Sequence, residues 1–513
     1  MKAESILPDG WCSTTLEKIA SWGSGGTPSR NVERYFQGTI PWVKTGELEG
    51  KYIRETEEHI SEEALKNSSA KIFPKGSVGI AMYGATIGKL SIWGINASTN
   101  QACAVGIPTE AINNEFLYYY LLSERQNLIK AGKGGAQPNL SQGIIKEWSI
   151  NLPPINEQHR IVAKIEELFS ELDKGIENLK TARAQLKVYR QALLKHAFEG
   201  KLTAQWRAEN QDKLETADAL LKRIQQERTQ RYQQQLADWQ ADGGSKPKTP
   251  KLLPPLTAEE LAELPELPEG WGWVKYGDLC SIVRNGISAK PVGESGTPIF
   301  RISAVRPLFF DMTDIRFIDN TTGEFDAYCL ERGDLVFTRY NGSRRYVGVC
   351  AEYRSDEKRL FPDKLVQTRV FSKYLSTSYL EKALNSGASR KFVESKIRTT
   401  AGQSGVSGDD IKNIPVPFCS TDEQMQIVEA LESKLSEVDQ LDQTITTSLQ
   451  QAEALRQSIL KKAFSGQLVP QDPHDEPASE LLNRIKGAMN RAPTARIKAE
   501  RADTALKTKR KTT

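Results

Sequence analysis

Histidine, cysteine and the recognised signatures of catalysis are all scarce in this chain. Its 513 residues include four histidines, His59, His159, His196 and His474, and none has the spacing of a metal-ligand set. Six cysteines (Cys12, Cys103, Cys280, Cys329, Cys350 and Cys419) contain no C-x-x-C pair. A zinc site or a disulfide framework is therefore not expected, and the thiols read as buried and reduced in a cytosolic protein. No apolar run approaches the roughly 20 residues that span a bilayer. Met1 to Gly10 lacks the basic and apolar regions of a signal peptide, so the expectation is a cytoplasmic chain with no membrane partner. There is no G-x-G-x-x-G fingerprint before a helix, no Asn-Pro-Pro-aromatic run of amino-methyltransferases and no nuclease-like cluster of carboxylates with a lysine. Gly84 to Leu90 resembles a phosphate loop but is one residue short and lacks the Ser or Thr after Lys89, so a hairpin turn is the better reading. These absences argue against an enzyme acting alone.

Charge is nearly balanced, at a formal +4 overall, which excludes a chain that coats nucleic acid by bulk charge. Its distribution is uneven. From Gly272 to Ser420 there are 22 Lys and Arg against 17 Asp and Glu, and Arg484 to Thr513 holds ten basic groups against two acidic ones. Such a tail reads first as a solvated end. At 38% hydrophobic and 26% charged the composition is that of a soluble globular protein, and either half is long enough to bury a core.

What the chain has is a long-period repeat. Leu7-Pro8-Asp9-Gly10-Trp11 returns as Leu267-Pro268-Glu269-Gly270-Trp271, 260 positions on. Glu157-Gln158-His159-Arg160-Ile161-Val162 returns as Glu423-Gln424-Met425-Gln426-Ile427-Val428, and Lys195 to Leu202 returns as Lys461 to Leu468, both at 266. Between these, Gly76 to Tyr83 matches Gly333 to Tyr340 at 257, and Gln137, Ser141, Ile145 and Lys146 match Gln403, Ser407, Ile411 and Lys412 at 266. Two copies of one unit are thus expected, each a variable head followed by a constant helix.

The helices carry an apolar heptad stripe: Ile165, Leu172, Leu179, Leu186 and Leu193 in the first, Leu431, Val438, Ile445, Ala452 and Ile459 in the second. Strict seven-residue spacing in both copies predicts that the two pack on each other as a coiled coil rather than each on its own head. A companion stripe, Ile161, Leu168, Ala182 and Tyr189, is broken by Gly175. The heads mix short β-rich runs, Ser77 to Tyr83 among them, with an apolar helix from Glu115 to Ala131, and Pro153-Pro154 closes the first. A Gln-rich helical segment after Gly200 leads through an exposed Pro-containing linker, 243–255, into the second copy.

Binding chemistry is better supplied than catalysis. In the first head the candidates are Thr27, Ser29 and Arg30 in a Gly-Gly-Thr-Pro-Ser-Arg run, Lys44 and Thr45 after Trp42, Tyr83, Thr86 and Lys89 around the hairpin, Asn100 and Gln101, and Gln137 with Asn139. Trp42 itself reads as core. In the second head they are Arg301, Ser303 and Arg306, the dense run Arg339, Tyr340, Asn341, Ser343, Arg344 and Arg345, and Lys396, Arg398 and Gln403. Arginine grips phosphate or guanine in bidentate fashion, Asn and Gln pair with adenine, and small residues let a backbone approach a phosphate. Read as residues alone, the heads fit either DNA or a protein partner, the second reading making the chain a coiled-coil interaction scaffold.

Two variable heads, each followed by a long helix with Glu-Gln-x-x-Ile-Val, closely resemble the specificity subunits of type I restriction–modification enzymes. Gln137-Pro138-Asn139-Leu140-Ser141 before the helix and Gly200-Lys201-Leu202-Thr203 with Trp206 after it carry the same resemblance. It implies an α+β architecture: two α/β target-recognition domains joined by two long antiparallel coiled-coil helices, as a pseudo-twofold internal repeat. The expected segments are a first recognition domain at 1–153, a long helix at 154–200 and a helical segment with linker at 201–266. A second recognition domain at 267–420, a second helix at 421–466 and a C-terminal segment with basic tail at 467–513 complete the chain. Each head is then expected to read half of a bipartite target in double-stranded DNA, with the helices fixing the spacer. Two methyltransferase and two restriction subunits are expected to dock on the constant regions. The chain itself is expected to be non-catalytic and to hold no cofactor or metal, with S-adenosylmethionine, ATP and Mg²⁺ on the partners.

Overall fold

The computed structural model describes residues 7–132, 139–243, 245–250, 252–371, 373–400 and 402–487. The chain divides into two compact units, 1–180 with 446–513, and 181–445. Each unit therefore holds one head, one part of the first long helix, Ile155–Phe198, and one part of the second, Thr421–Phe464. The first unit is assembled from both ends of the chain.

In the first unit a five-stranded sheet runs Ala20–Ser24, Cys103–Pro108, Val78–Ala81, Leu90–Trp93, Tyr52–Ile53. All neighbours are antiparallel except the last pair. A three-stranded sheet sets Ile40–Val43 between Glu58–Ile60, antiparallel, and Ser98–Thr99, parallel. Val78–Ala81 is buried along its whole length, so both faces are covered, and a Cβ on Gly79 would fall 2.2 Å from the Trp93 ring. The helix Asn114–Ala131 begins where Asn113 Oδ1 accepts the Glu115 and Phe116 amides at 2.9 Å, an N-cap that satisfies otherwise orphaned donors. Cys12–Thr15 pairs with Ser149–Leu152 and closes the head where the chain enters and leaves it.

The second unit repeats this plan with changes. Its main sheet runs Cys280–Asn285, Leu365–Val370, Leu335–Thr338, Cys350–Glu352, wholly antiparallel. The ribbons Thr297–Phe300 with Ile315–Ile318, and Val305–Arg306 with Phe309–Phe310, are added to it. Gly272–Lys275 with Pro415–Phe418 closes the head. Two short helices, Thr377–Leu384 and Gly387–Lys396, stand in the chain region where the first head has one.

The constant motifs turn out to be joints. Glu157, 1% exposed, accepts the Trp11 indole N–H at 3.1 Å, and Gln471 donates to it at 3.3 Å. Glu423, also 1% exposed, accepts from Trp271 at 2.8 Å, Thr203 at 2.8 Å and Arg207 at 2.9 Å. Burial pushes the Glu157 carboxyl above the ordinary range, opposed by the donors Gln471 and Trp11. The neighbouring Gln158 donates to the Ala111 and Pro153 carbonyls, and Gln424 to that of Cys419. Each helix then ends on a glycine in the left-handed region, Gly200 at φ +69° and Gly466 at φ +74°. A Cβ there would lie 2.4 Å from Pro268 Cγ and 2.3 Å from Pro8 Cγ respectively. Within each unit, then, the opening Leu-Pro-x-Gly-Trp run, the start of one long helix and the end of the other meet.

The heptad stripe divides by position. Ile161 and Ile165 lie in the core of the first head together with Ile459 and Leu460, and Leu193 shares the second head's core with Ile427 and Leu431. Leu172, Leu179 and Leu186 are half-buried, while Val438, Ile445 and Ala452 are buried. The ends of the stripe therefore belong to the heads, which qualifies the expectation of helix-on-helix packing throughout. In the second unit Arg183 pairs with Asp442 at 2.9 Å, and Arg190 pairs with Asp439. As one number rises the other falls, so the helices are antiparallel there. In the first unit Arg456 pairs with Asp173 and lies 4.5 Å over the Phe169 ring. Tyr189, on the weaker stripe, is 48% exposed.

Among the described residues no helix is long and apolar enough to cross a membrane. No cysteine is in a disulfide; Cys103, Cys280, Cys350 and Cys419 are buried, but Cys12 and Cys329 are only half-buried, against the expectation for all six.

Candidate functional site

In the first head three of the polar runs meet. Gly26 N donates to Thr99 O at 2.9 Å and the Trp42 indole donates to Gly26 O at 3.1 Å. Gly25 must be glycine, because a Cβ would fall 1.8 Å from Thr99 O. The Thr27 hydroxyl then bonds the Gln101 side chain, and Ser29 and Arg30 are exposed. Trp42 is 2% exposed, which leaves Lys44 and Thr45, at the strand's end, facing the same region. Asn100 is half-buried, its side-chain carbonyl accepting the Ala102 amide at 3.1 Å.

The hairpin joins this cluster through Lys89, whose ammonium reaches Glu49 at 2.9 Å and the Gly46 carbonyl at 3.4 Å. Gly84–Thr86 is a single 3₁₀ turn between Val78–Ala81 and Leu90–Trp93, a hairpin and not a strand-to-helix phosphate loop. Tyr83 is exposed and Thr86 half-buried on that turn. Asn139 is exposed beside it, because Leu140 N donates to Met82 O at 2.8 Å. Gln137 lies outside the described residues.

The candidate cations of this head, Arg30, Lys44 and Lys89, are each paired with a glutamate. Arg30 pairs with Glu58 at 2.7 Å and lies 4.2 Å over Phe36. Lys44 pairs with Glu57 at 2.6 Å and Glu58 at 3.3 Å. The Arg30 guanidinium, with Lys44 behind it, holds the Glu58 carboxyl below its usual range against partial burial. The hydrogen bond that Lys44 donates to Glu57 raises Lys44, and the one that Lys89 donates lowers Glu49.

The second head presents a cavity of about 580 Å³. Six of the residues singled out by sequence line it: Arg301, Ser303, Arg306, Tyr340, Asn341 and Gln403. Two more, Arg316 and Lys364, escaped sequence reasoning. Tyr340–Asn341 reaches the cavity by pairing with Gln403–Gly405, an approach possible because a Cβ on Gly405 would fall 2.3 Å from the Tyr340 ring. Arg339 holds the Lys364 carbonyl through its amide at 2.9 Å and lies 4.9 Å over Tyr340. Arg301 has a loose partner in Asp314, at 3.6 Å. Arg316, Lys364 and Arg306 have no carboxylate within ion-pair distance among the described residues.

The remaining candidates stand beside the cavity. Ser343 N donates to Asn341 Oδ1 at 2.9 Å, and Arg344 reaches the Glu394 carbonyl at 3.1 Å. Arg345 lies 4.4 Å over the Tyr346 ring and Arg306 4.6 Å over the same ring, so Tyr346 links the arginine turn to the cavity. Lys396 lies 5.1 Å over Phe392, away from the cavity lining, and Arg398 is exposed at the edge of the Gln403 ribbon. The turn also locates an insertion. Gly88 N bonds Ala81 O at 2.8 Å and Gly348 N bonds Thr338 O at 2.7 Å, so the offset changes from 257 to 260 inside the turn. The three added residues lie between Tyr340 and Gly348, in the turn that carries the arginines, while Lys89 finds its counterpart in the buried Val349.

The sequence signal for Arg316 was its outward place in the alternating strand Ile315–Ile318; Lys364, in a Pro-Asp-Lys turn, had none that separated it from other surface lysines. Among the described residues no three His, Cys, Asp or Glu side chains are grouped to hold a metal ion. The basic tail beyond residue 487 lies outside the described residues.

Comparison with known proteins gives concordant results. Residues 8–181 match the family model for the type I restriction modification DNA specificity domain. The specificity subunit of the type I restriction enzyme EcoKI, from Escherichia coli K12, is 28% identical over 97% of this chain and 96% of its own length. That of StySPI, from Salmonella potsdam, is 24% identical over the same shares, and that of EcoBI, from E. coli, 33% identical over 36% of this chain and 40% of its own. Among solved structures, a chain from an assembly of the type I restriction–modification system superposes with a TM-score of 0.60 at 18% identity, covering 90% of this chain and 100% of that one. The HsdS subunit of Thermoanaerobacter tengcongensis gives 0.53 at 17% identity, covering 91% and 99%. At these identities the structural likeness concerns the fold.

Proposed function

Because the chain belongs to the type I restriction–modification specificity-subunit family, we propose that its two heads each read one half of a bipartite target in double-stranded DNA. It is the DNA sequence-specificity subunit and works within a restriction–modification complex. One observation supports the finer reading. The motifs shared by the two copies, Glu157 with Trp11 and Glu423 with Trp271, are consumed in internal joints. Most residues of the polar cluster of one head and of the cavity of the other differ between the copies, Tyr340 and Gln403 being the cavity residues that match, at Tyr83 and Gln137. A duplicated frame with dissimilar faces suits two unequal half-sites. Base edges would be read by Tyr340, Asn341, Gln403 and the turn arginines Arg344 and Arg345 in one head, and by Thr27, Asn100 and Gln101 in the other, since such groups match donor and acceptor patterns in the major groove.

In this reading the paired helices fix the spacer, and the constant joints and helices dock two methyltransferase and two restriction subunits. Those partners supply S-adenosylmethionine, ATP and Mg²⁺ and the bond-making chemistry; this chain, cytoplasmic with them, binds and orients. Purified chain alone should neither methylate nor cleave. Affinity of the methyltransferase-bound complex for a pool of randomised duplexes tests the reading: discrimination is expected, and Arg344→Ala with Arg345→Ala should weaken binding. Equal affinity for every duplex would refute it.

A further inference from the structure

The two heads are not electrostatic equals. The first, Cys12 to Leu152, has 14 basic against 13 acidic residues, while the second, Gly272 to Ser420, has 22 against 17. The difference is sharper at the surfaces that carry the polar candidates. In the first head Arg30, Lys44 and Lys89 are each held by a glutamate at 2.6–2.9 Å. In the second, Arg306, Arg316 and Lys364 line one cavity together with a single acidic residue, Asp363, and none of the three has a carboxylate within ion-pair distance among the described residues, while Arg301 has only its 3.6 Å partner.

A cation already paired with a glutamate gains little from a phosphate, because the glutamate repels the same phosphate and must be displaced or screened. A cation without such a partner releases condensed counterions from the DNA in full. Resting on the DNA-reading function proposed above, we infer that the heads divide the work. The second head grips the phosphate backbone through Arg306, Arg316 and Lys364, and the first reads its half-site through neutral polar groups, with Arg30, Lys44 and Lys89 serving as internal struts. The glutamates Glu57 and Glu58 suppress non-specific attraction at the first head, so this head contributes to affinity only when its sequence fits. Arg316 and Lys364 are thereby assigned as phosphate-binding residues and Glu58 as a positioning residue that holds Arg30 and Lys44.

The salt dependence of DNA binding by the methyltransferase-bound complex tests this. Each phosphate that is no longer neutralised reduces the slope of log K against log salt by about 0.9. Arg316→Gln with Lys364→Gln should flatten the slope by about 1.8, uniformly across target and non-target duplexes. Arg30→Gln with Lys44→Gln should leave the slope within about 0.5 of wild type. Glu57→Gln with Glu58→Gln should steepen it and raise non-target affinity, a gain that misfolding cannot produce. Equal flattening by the two cation pairs, or no steepening in the glutamate variant, overturns the division of labour even where sequence discrimination persists. Loss of all discrimination in the unaltered complex would instead overturn the DNA-reading function beneath it.

Discussion

Arg207→Leu is the substitution whose cost the structure fixes most closely. Arg207 follows the first long helix, is 16% exposed on its side chain and pairs with Glu423, 1% exposed, at 2.8 Å. It also donates to the Gly200 carbonyl at 2.5 Å and lies 5.4 Å from the centre of the Trp271 ring. No other cation stands within ion-pair distance of Glu423 among the described residues. Removing one partner of a buried pair leaves the other charge uncompensated, at about 3–5 kcal/mol; Trp271 and Thr203 still donate to the carboxylate, so the lower end, about 3 kcal/mol, applies here. Amide hydrogen exchange of the full chain in its complex reads the joint locally. Protection of amides in 268–276 and 421–428 should fall about a hundredfold, at about 1.4 kcal/mol per tenfold. Adding Glu423→Gln should restore most of it, because the stranded charge is gone. A loss under about fivefold in the single variant, or no recovery in the double, would refute the idea that this buried pair holds the second head to the helices.

The equivalent joint in the first unit responds to shape and to pH. Gly466→Ala meets both a φ of +74° and an approach of 2.3 Å to Pro8 Cγ, so it should cost about 3 kcal/mol by hydrogen exchange. Gly270→Ala, at φ +83° with open space around its Cβ, should cost only about 1 kcal/mol; equal costs would dismiss the role of Pro8. Glu157, whose carboxyl burial raises, stabilises the joint fully below its unfolded pKa of about 4.3. That contribution is lost as pH rises through the higher folded value, so the melting temperature of wild type should fall relative to Glu157→Gln across this window. Parallel pH curves for the two proteins would contradict it.

The repeat made much of the architecture readable from the chain alone. Constant offsets of 266 marked the helices, and slipping offsets marked the heads. The structure resolves the slippage into steps: 257 at Tyr83 and Tyr340, 260 at Gly88 and Gly348, 263 at the helix caps Asn113 and Ser376, and 266 at the caps Ser141 and Ser407. The first insertion of three residues falls in the turn before Gly348, where backbone is exposed and tolerant. The Tyr340 to Arg345 run could be picked out because arginine, glycine and asparagine crowd one turn.

What stayed hidden depended on groups far apart in the chain. Glu57 and Glu58 reach Lys44 and Arg30 across paired strands, which no local pattern reports. Arg316 and Lys364 share a cavity though 48 positions apart. That Glu157 and Glu423 are buried joints was also invisible, since a carboxylate at a helix start reads first as an exposed residue favoured by the helix dipole. Nor did the heptads tell that their ends enter the head cores: an apolar stripe records that something covers it, not what.

Whether dissimilar heads on a duplicated frame read two separate half-sites can be measured in a host carrying this chain with its partner subunits, by mapping methylated bases across the genome. Two short specified blocks separated by an unspecified spacer of fixed length are expected. Changes at Tyr340, Asn341 and Gln403 should alter one block and leave the other and the spacer intact. A single continuous motif, or changes in the second head that alter both blocks, would contradict a division of the target between the heads.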